Sequence, residues 1–290
     1  MCRLVAYLGH PVLLEDVLVK PVNSIVMQSL HARESHVPTN GDGFGLGWYA
    51  PDISDTPAVF KSISPAWNDN NLLNLTSKIK SPNFFAHVRA ASAGGVTHYN
   101  CHPFTLGRWM LMHNGEICDF TAVKRHLRRL LDDDIYNWIQ GETDSEHFFA
   151  LLIQLAKHRD LTQLKQGEII PLSIMADVFR ETVAQIELLI KLYGEPGPSF
   201  YNVCLTDGKR LLASRYCSDK TLVPETMHYS VGSQFVAKKG RYHMLEYTGC
   251  PGSLLVASEK LTNVEAEWQD VPANHMLLVD TDLSIQIEPV

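Results

Sequence analysis

No Cys-x-x-Cys pair occurs in this chain. Its six cysteines stand apart at 2, 101, 118, 204, 217 and 250. That spacing argues against a zinc knuckle or a thioredoxin-type site and leaves most of them as small buried hydrophobes. Long apolar runs are missing too. No stretch approaches the ~20 residues of a membrane span, so no membrane association is predicted. The N-terminus has no basic region followed by an apolar one, which predicts a cytoplasmic protein without a secretory leader. A basic surplus is also absent: 25 Lys and Arg stand against 32 Asp and Glu, a net charge of −7. No nucleic-acid footprint is expected from that balance. The densest basic run, Lys124-Arg125-His126-Leu127-Arg128-Arg129, lies on a predicted helix and is followed by Asp132-Asp133-Asp134. A solvated helix face is expected there, with a docking face as the second reading. The 13 His include one pair with metal-like spacing, His98 and His102, but it falls in a loop ending in Pro103. No metal site is predicted. The glycines of 41–47 are followed by no Gly-Lys-Ser/Thr, so they do not read as a phosphate cradle.

What is present is ordinary globular material. The chain has 290 residues, 45% hydrophobic and 20% charged, enough for a substantial core. No repeat or interdomain linker divides it, and residues 2–290 are expected to form a single domain. Residues 2–9 read as a strand, and 12–20 and 21–30 as turns of helix around Pro21. Asn40-Gly41-Asp42-Gly43 reads as a turn into a strand with Phe44, Leu46 and Trp48 on one face. Strands are predicted at 83–90 and 108–113, the second stopped by Asn114-Gly115, a dipeptide typical of hairpin turns. Asp119 is a candidate cap for a helix with Phe120, Val123, Leu127, Leu130 and Leu131 on its apolar stripe. Helices follow at 145–158 and 173–192. Strands then dominate at 200–206, 210–216, 228–232, 252–258 and 275–280. Strands, two long helices and strands again imply sheets covered by helices.

Cys2 follows the initiator Met directly. Removal of Met1 would leave a residue carrying both a thiol and a free α-amine. Their ordinary pKa values, about 8.5 and about 7.7–8.0, let the amine exchange a proton with the thiol near neutrality. One residue then combines nucleophile and base.

Four islands accompany it: Ala86-His87-Val88-Arg89-Ala90-Ala91-Ser92, Asn100-Cys101-His102-Pro103-Phe104, Met112-His113-Asn114-Gly115-Glu116 and Gly141-Glu142-Thr143-Asp144-Ser145-Glu146. Each lies at a predicted strand end or helix start, where loops gather into a site. Together and in this order they resemble the class II glutamine amidotransferases, enzymes with an N-terminal nucleophile. The resemblance is strong from Cys2 to about Phe149. It points to a stand-alone branch holding the amidotransferase subunit of the fungal glutathione-degrading complex and the ergothioneine-pathway γ-glutamyl hydrolase.

The resemblance implies an α+β fold, a four-layer α/β/β/α sandwich of two antiparallel sheets. It also implies hydrolysis of a γ-glutamyl amide bond in glutamine, glutathione or a γ-glutamyl thiol conjugate, with no cofactor. Cys2 would be the nucleophile, and the Asn114 side chain and Gly115 backbone N–H the oxyanion donors. The planar fork of Arg89 suits the substrate α-carboxylate, and Asp144 suits the α-ammonium. Ser92 matches a carboxylate-binding Thr of the family, and His102 is expected to shape the loop beside the substrate. On residue types alone, Arg89 and Asp144 also suit a structural ion pair, and Asp144 an N-cap.

Two positions depart from fused members of the family. Ala90 follows Arg89 where a loop-closing Trp often stands, and Ala93 replaces a glutamine-binding His. Both changes predict tolerance of γ-glutamyl amides larger than glutamine. A domain of this class would take up most of the 290 residues, so no acceptor-binding synthase domain is expected within them. The alternative is a subunit that binds γ-glutamyl compounds and depends on a peptidase or acceptor subunit, with the 124–129 helix as a docking face.

Overall fold

The computed structural model describes residues 2–91, 94–161 and 170–290. The chain opens with β1 (Arg3–Leu13), α1 (Leu14–Leu18), α2 (Ile25–Leu30), β2 (Phe44–Ala50), β3 (Ser54–Ser62), α3 (Asn70–Thr76) and β4 (Lys80–Val88). Next come β5 (Phe104–Leu106), β6 (Trp109–Glu116), α4 (Phe120–Arg128), α5 (Asp133–Trp138), α6 (Asp144–Lys157) and α7 (Leu172–Tyr193). The remainder is β7 (Phe200–Thr206), β8 (Leu211–Arg215), β9 (His228–Gly232), β10 (Phe235–Lys238), β11 (Arg241–Met244), β12 (Ser253–Ala257), β13 (Gln269–Asp270), β14 (His275–Val279) and β15 (Ile285–Pro289).

The strands form two antiparallel sheets and a small β10–β11 hairpin. One sheet runs β13-β9-β12-β1-β4-β2-β3, the other β15-β14-β8-β7-β6-β5. Strand alternation builds the layers. Along β1, Leu4, Ala6 and Leu8 face Met110, Met112, Ala213 and Leu277 of the second sheet, in a core between the sheets. Val5 and Tyr7 face outward onto Leu14, Leu18 and Ile25 of the first helices. The second sheet buries its other face under α4, α6 and α7 through Phe148, Phe149, Phe179 and Ile186. Helix, sheet, sheet and helix therefore stack as the expected four layers.

The strand expected after the 40–43 turn is β2, with Phe44 and Leu46 in the outer core. Its alternate positions are glycines for a physical reason. A Cβ on Gly45 would lie 1.9 Å from the His102 carbonyl, and one on Gly47 would lie 2.4 Å from the Met110 sulfur. The bare face of β2 is what lets the second sheet and the 102–103 loop approach.

Asn114-Gly115 is no hairpin turn. Both residues continue β6, paired with Asn202 and Tyr201 of β7. The glycine is required by close approach rather than by a turn: a Cβ there would meet the Phe200 carbonyl at 2.0 Å and His113 Nε2 at 2.4 Å. The cap role for Asp119 also fails. Its carboxylate accepts instead from the Glu195 N–H at 3.0 Å, tying α4 to the end of α7. Strands β3, β5, β10, β11, β13 and β15 have no counterpart in the sequence reading. Most are short or exposed, and lack the apolar alternation that marks half-buried strands.

Candidate active site

Cys2 sits one residue before β1, beside the end of β4. Its sulfur lies 3.5 Å from the Ala90 carbonyl and accepts the Ala90 N–H at 3.4 Å. Burial pushes its thiol pKa up, opposed by the Ala90 backbone and the Arg89 and Arg3 charges. Arg3 fixes the residue from the other side, its Nε donating to the Cys2 carbonyl at 2.7 Å.

Arg89 follows β4 and is almost fully buried. Its guanidinium donates to the Gly95 carbonyl at 3.0 Å and reaches the Gly94 carbonyl at 3.4 Å. Its backbone brackets the Asp42-Gly43 turn through two hydrogen bonds, Asp42 N–H to Arg89 and Arg89 N–H to Gly43. Ser92 and Ala93 lie outside the described residues.

Asn100 joins this loop to the next. Its Nδ2 donates to the same Gly95 carbonyl at 2.8 Å, and its Oδ1 accepts the Glu142 N–H at 2.9 Å. Asp144 stands two residues on, in the first turn of α6. The N-cap is Thr143, whose hydroxyl accepts the Glu146 N–H at 3.2 Å, so Asp144 is not spent on capping. Its Oδ2 accepts the Ile117 N–H at 2.9 Å and its Oδ1 the Ser145 N–H at 2.7 Å. A carboxylate has about four lone-pair sites, which leaves capacity for a ligand ammonium. The Ile117 bond ties Asp144 to the segment just after Asn114 and Gly115.

Asn114 is buried, and neither its amide nitrogen nor its oxygen has a hydrogen-bond partner. An unpartnered buried polar group costs about 1–3 kcal/mol, so this amide is held ready for a partner that the chain itself does not supply. Gly115 completes the pair. Tyr201, opposite it, donates its N–H to Tyr216 and accepts the Ser214 hydroxyl. Both bonds are on the β8 side. Antiparallel alternation then turns the Gly115 N–H away from β7, toward the open edge beyond the end of β5.

Three histidines brace the floor. His113 is pinned at both ring nitrogens, Nε2 to the Phe200 carbonyl at 2.8 Å and Nδ1 to the Ser145 hydroxyl at 2.9 Å. A carbonyl only accepts, so Nε2 carries a proton. His87 reaches toward the His113 backbone without closing a hydrogen bond of ordinary geometry. His102 lies against it, the rings tilted by 36° with centroids 4.2 Å apart, and meets Phe104 edge-on at 4.7 Å. Burial drives both pKa values down, His87 to about 3, and keeps both rings neutral. His102 is thus packed between layers, and its carbonyl lies against Gly45.

The sequence reading set Cys2, Arg89, Asn114, Gly115 and Asp144 at strand ends and helix starts; in the structure Cys2 meets Ala90, next to Arg89, and Asp144 is bonded to Ile117, two residues beyond Gly115. That reading passed over Arg3 and Glu259, and gave no role to Asn100 and Glu146 within their islands. Glu146 accepts the Gln140 and Gly141 N–H groups at 3.0 and 2.7 Å, shaping the turn before Asp144. Thr143-x-x-Glu146 also has the spacing of a capping box, a local signal for Glu146. Among the described residues no group of His, Cys, Asp and Glu is arranged to hold a metal, and no helix is long and apolar enough to cross a membrane.

A four-layer sandwich with these loops at the mouth of its two sheets defines a class of proteins. The family described as class-II glutamine amidotransferases matches residues 13–288, and the chain belongs to it. Among relatives, a yeast protein named "Probable glutamine amidotransferase DUG3", from Saccharomyces cerevisiae, is 36% identical over 100% of this chain and 84% of its own length. A γ-glutamyl-hercynylcysteine sulfoxide hydrolase of Mycolicibacterium smegmatis is 33% identical over the full length of both chains. Among solved structures, a class-II domain protein from Silicibacter pomeroyi superposes with a TM-score of 0.65 at 23% identity, over 99% of each chain. Glutamine phosphoribosylpyrophosphate amidotransferase of B. subtilis gives 0.60 at 14% identity, with 49% of that longer chain covered. These last two likenesses establish the fold.

Proposed function

We propose that this chain hydrolyses a γ-glutamyl amide bond, with Cys2 as nucleophile once Met1 has been removed. The observation that carries the reading is the Cys2 sulfur held 3.4 Å from the Ala90 N–H, one residue beyond Arg89. The names of the relatives support the substrate class. Glutamine and a γ-glutamyl conjugate share the same acyl half, and differ only in the amine that leaves.

In this mechanism Arg89 and Ser92 are the ligands of the α-carboxylate, and Asp144 is the ligand of the α-ammonium. The α-amine of Cys2 takes the thiol proton, and sulfur attacks the γ-carbonyl carbon. Negative charge on the tetrahedral oxygen is met by Asn114 Nδ2 and the Gly115 N–H. The C–N bond breaks, and the leaving amine departs with the proton. Water then adds to the thioester, giving a proton to the α-amine. The C–S bond breaks, glutamate leaves and the thiol regains its proton. His102 acts by shaping the wall. Residues 2–290 serve as one domain, a reading supported by β1 lying between β4 and β12 in a single sheet.

Glutamate release from glutamine, glutathione and a γ-glutamyl thiol conjugate tests the proposal, with intact mass measured on the same sample. Release is expected from a chain beginning at Cys2, and none from Cys2→Ala with an unchanged circular dichroism spectrum. Turnover by Cys2→Ala would overturn the mechanism.

A second reading, a subunit dependent on a peptidase or acceptor partner, has one observation in its favour. On α7, Leu188 and Leu192 stand one turn apart and are 54% and 59% exposed. Full activity of the isolated chain would remove that reading.

A further inference from the structure

The basic face of α4 is open to solvent, with Arg125 and Arg129 exposed and Lys124 and Arg128 half-buried. The nearby acids do not neutralise it: Asp132 and Asp134 both bind Lys157 of α6, at 2.9 and 2.8 Å. Among the described residues no salt bridge reaches Lys124, Arg125, Arg128 or Arg129. These four and Thr121 fall at spacings of three and four along α4, so they share one face. Val123 and Leu127 are buried on another. With Tyr136 of α5 they line a cleft of about 430 Å³.

The cleft is built rather than merely charged. His147 of α6 is fully buried, and its Nδ1 lies 2.7 Å from the Thr143 carbonyl. That carbonyl only accepts, so Nδ1 carries the proton and Nε2 is a bare acceptor. Arg128 Nε donates to it at 2.8 Å. Burial holds His147 neutral, its pKa pushed down to about 3. Arg128 is therefore anchored through Nε from behind, and its guanidinium lies 5.5 Å from the Tyr136 ring centroid. The two terminal nitrogens of a guanidinium so held are its natural fork for an oxyanion.

Helix stability does not explain the arrangement. A helix C-terminus favours cations in its last turn, which accounts for Arg125, Arg128 and the C-cap Arg129 but not for Lys124. Lys124 with Arg128, and Arg125 with Arg129, are like-charge pairs four residues apart, which destabilise a helix. We propose that this cleft binds a phosphate-bearing small molecule, with Arg128 as the bidentate ligand and Lys124, Arg125 and Arg129 closing around the remaining phosphoryl oxygens. Four cations in one small concavity suit a pyrophosphate-sized group, and Thr121 and Tyr136 add hydroxyl donors. In a chain of net charge −7 such a patch draws anions to one place.

Calorimetric titration of the full chain with inorganic phosphate, pyrophosphate and ADP tests this. Saturable pyrophosphate binding tighter than about 1 mM is expected. Arg128→Gln should weaken it at least about tenfold. So should the double variant Arg125→Gln/Arg129→Gln, whose exposed positions leave the packing intact. Lys78→Gln, an exposed cation elsewhere, should leave it unchanged. ADP binding no tighter than pyrophosphate would assign recognition to the phosphates alone, and tighter binding would add a contact to the nucleoside; both sustain the proposal. It is overturned if no pyrophosphate binding saturates or if Lys78→Gln weakens binding equally. It is overturned in favour of an acidic protein partner if a ten-residue glutamate peptide binds more tightly than pyrophosphate.

Discussion

Arg3 and Glu259 form an ion pair 3.3 Å long with neither side chain exposed to solvent. The pair joins the residue next to Cys2 to the segment after β12. Glu259 also accepts the Arg33 and Glu34 N–H groups at 2.9 and 3.0 Å, and Arg3 holds the Cys2 carbonyl. A single buried carboxylate thus organises the N-terminus and the 33–34 loop together.

Breaking one side of such a pair strands the other charge in the interior, at a cost of about 3–5 kcal/mol. Glu259→Ala is expected to lower unfolding stability by that amount in urea titrations. The Arg3→Met/Glu259→Met double variant should recover part of the loss, because it leaves no buried charge. A loss below about 1 kcal/mol for the single variant would contradict the assigned role.

Asn114 predicts a separation of activity from stability. Its unpartnered buried amide gives the fold little. Removal of one oxyanion donor costs about 10²–10³ in turnover. Asn114→Ala is therefore expected to lower kcat for glutamate release about 100-fold or more, with a melting temperature unchanged or raised. Full kcat, or a collapse of the fold, would count against this assignment.

His87 and His147, each pushed by burial to about 3, predict acid lability. Unfolded histidine titrates near 6.5. Between about 6.5 and 3 the unfolded chain takes up protons that the folded chain refuses. Their contribution is therefore full above about pH 6.5 and is lost as pH falls toward 3. Each histidine contributes a slope of up to about 1.4 kcal/mol per pH unit, and His102, driven down for the same reason, adds to it. Urea unfolding at pH 7, 6 and 5 should show stability falling, with a shallower slope in His147→Gln. A pH-independent midpoint across that range would refute the claim.

The candidate site was legible where chemistry depends on residue type in a short segment. Cys2, Arg89 and Asp144 stand out because a thiol at the start, a planar cation and a carboxylate at a helix start are scarce, directed groups. Gly115 was singled out with its local geometry misjudged. Asn-Gly permits a turn, but the nearby Phe200 carbonyl demands a strand residue without a side chain. The long helices were legible from their apolar spacing. The exposed strand β3 was not, because edge strands bury too little for alternation to show.

The order of motifs, a property of the chain alone, carried the resemblance to the family and with it the expectation of four layers, and singled out Cys2 as the candidate nucleophile. Only the tertiary structure decided what each charge faces. Asp132 and Asp134 lie next to the basic run in sequence yet spend their charge on Lys157, while Arg3 finds its partner 256 residues away. Electrostatic pairing depends on distance and burial after the sheets have closed, and neither can be read along the chain.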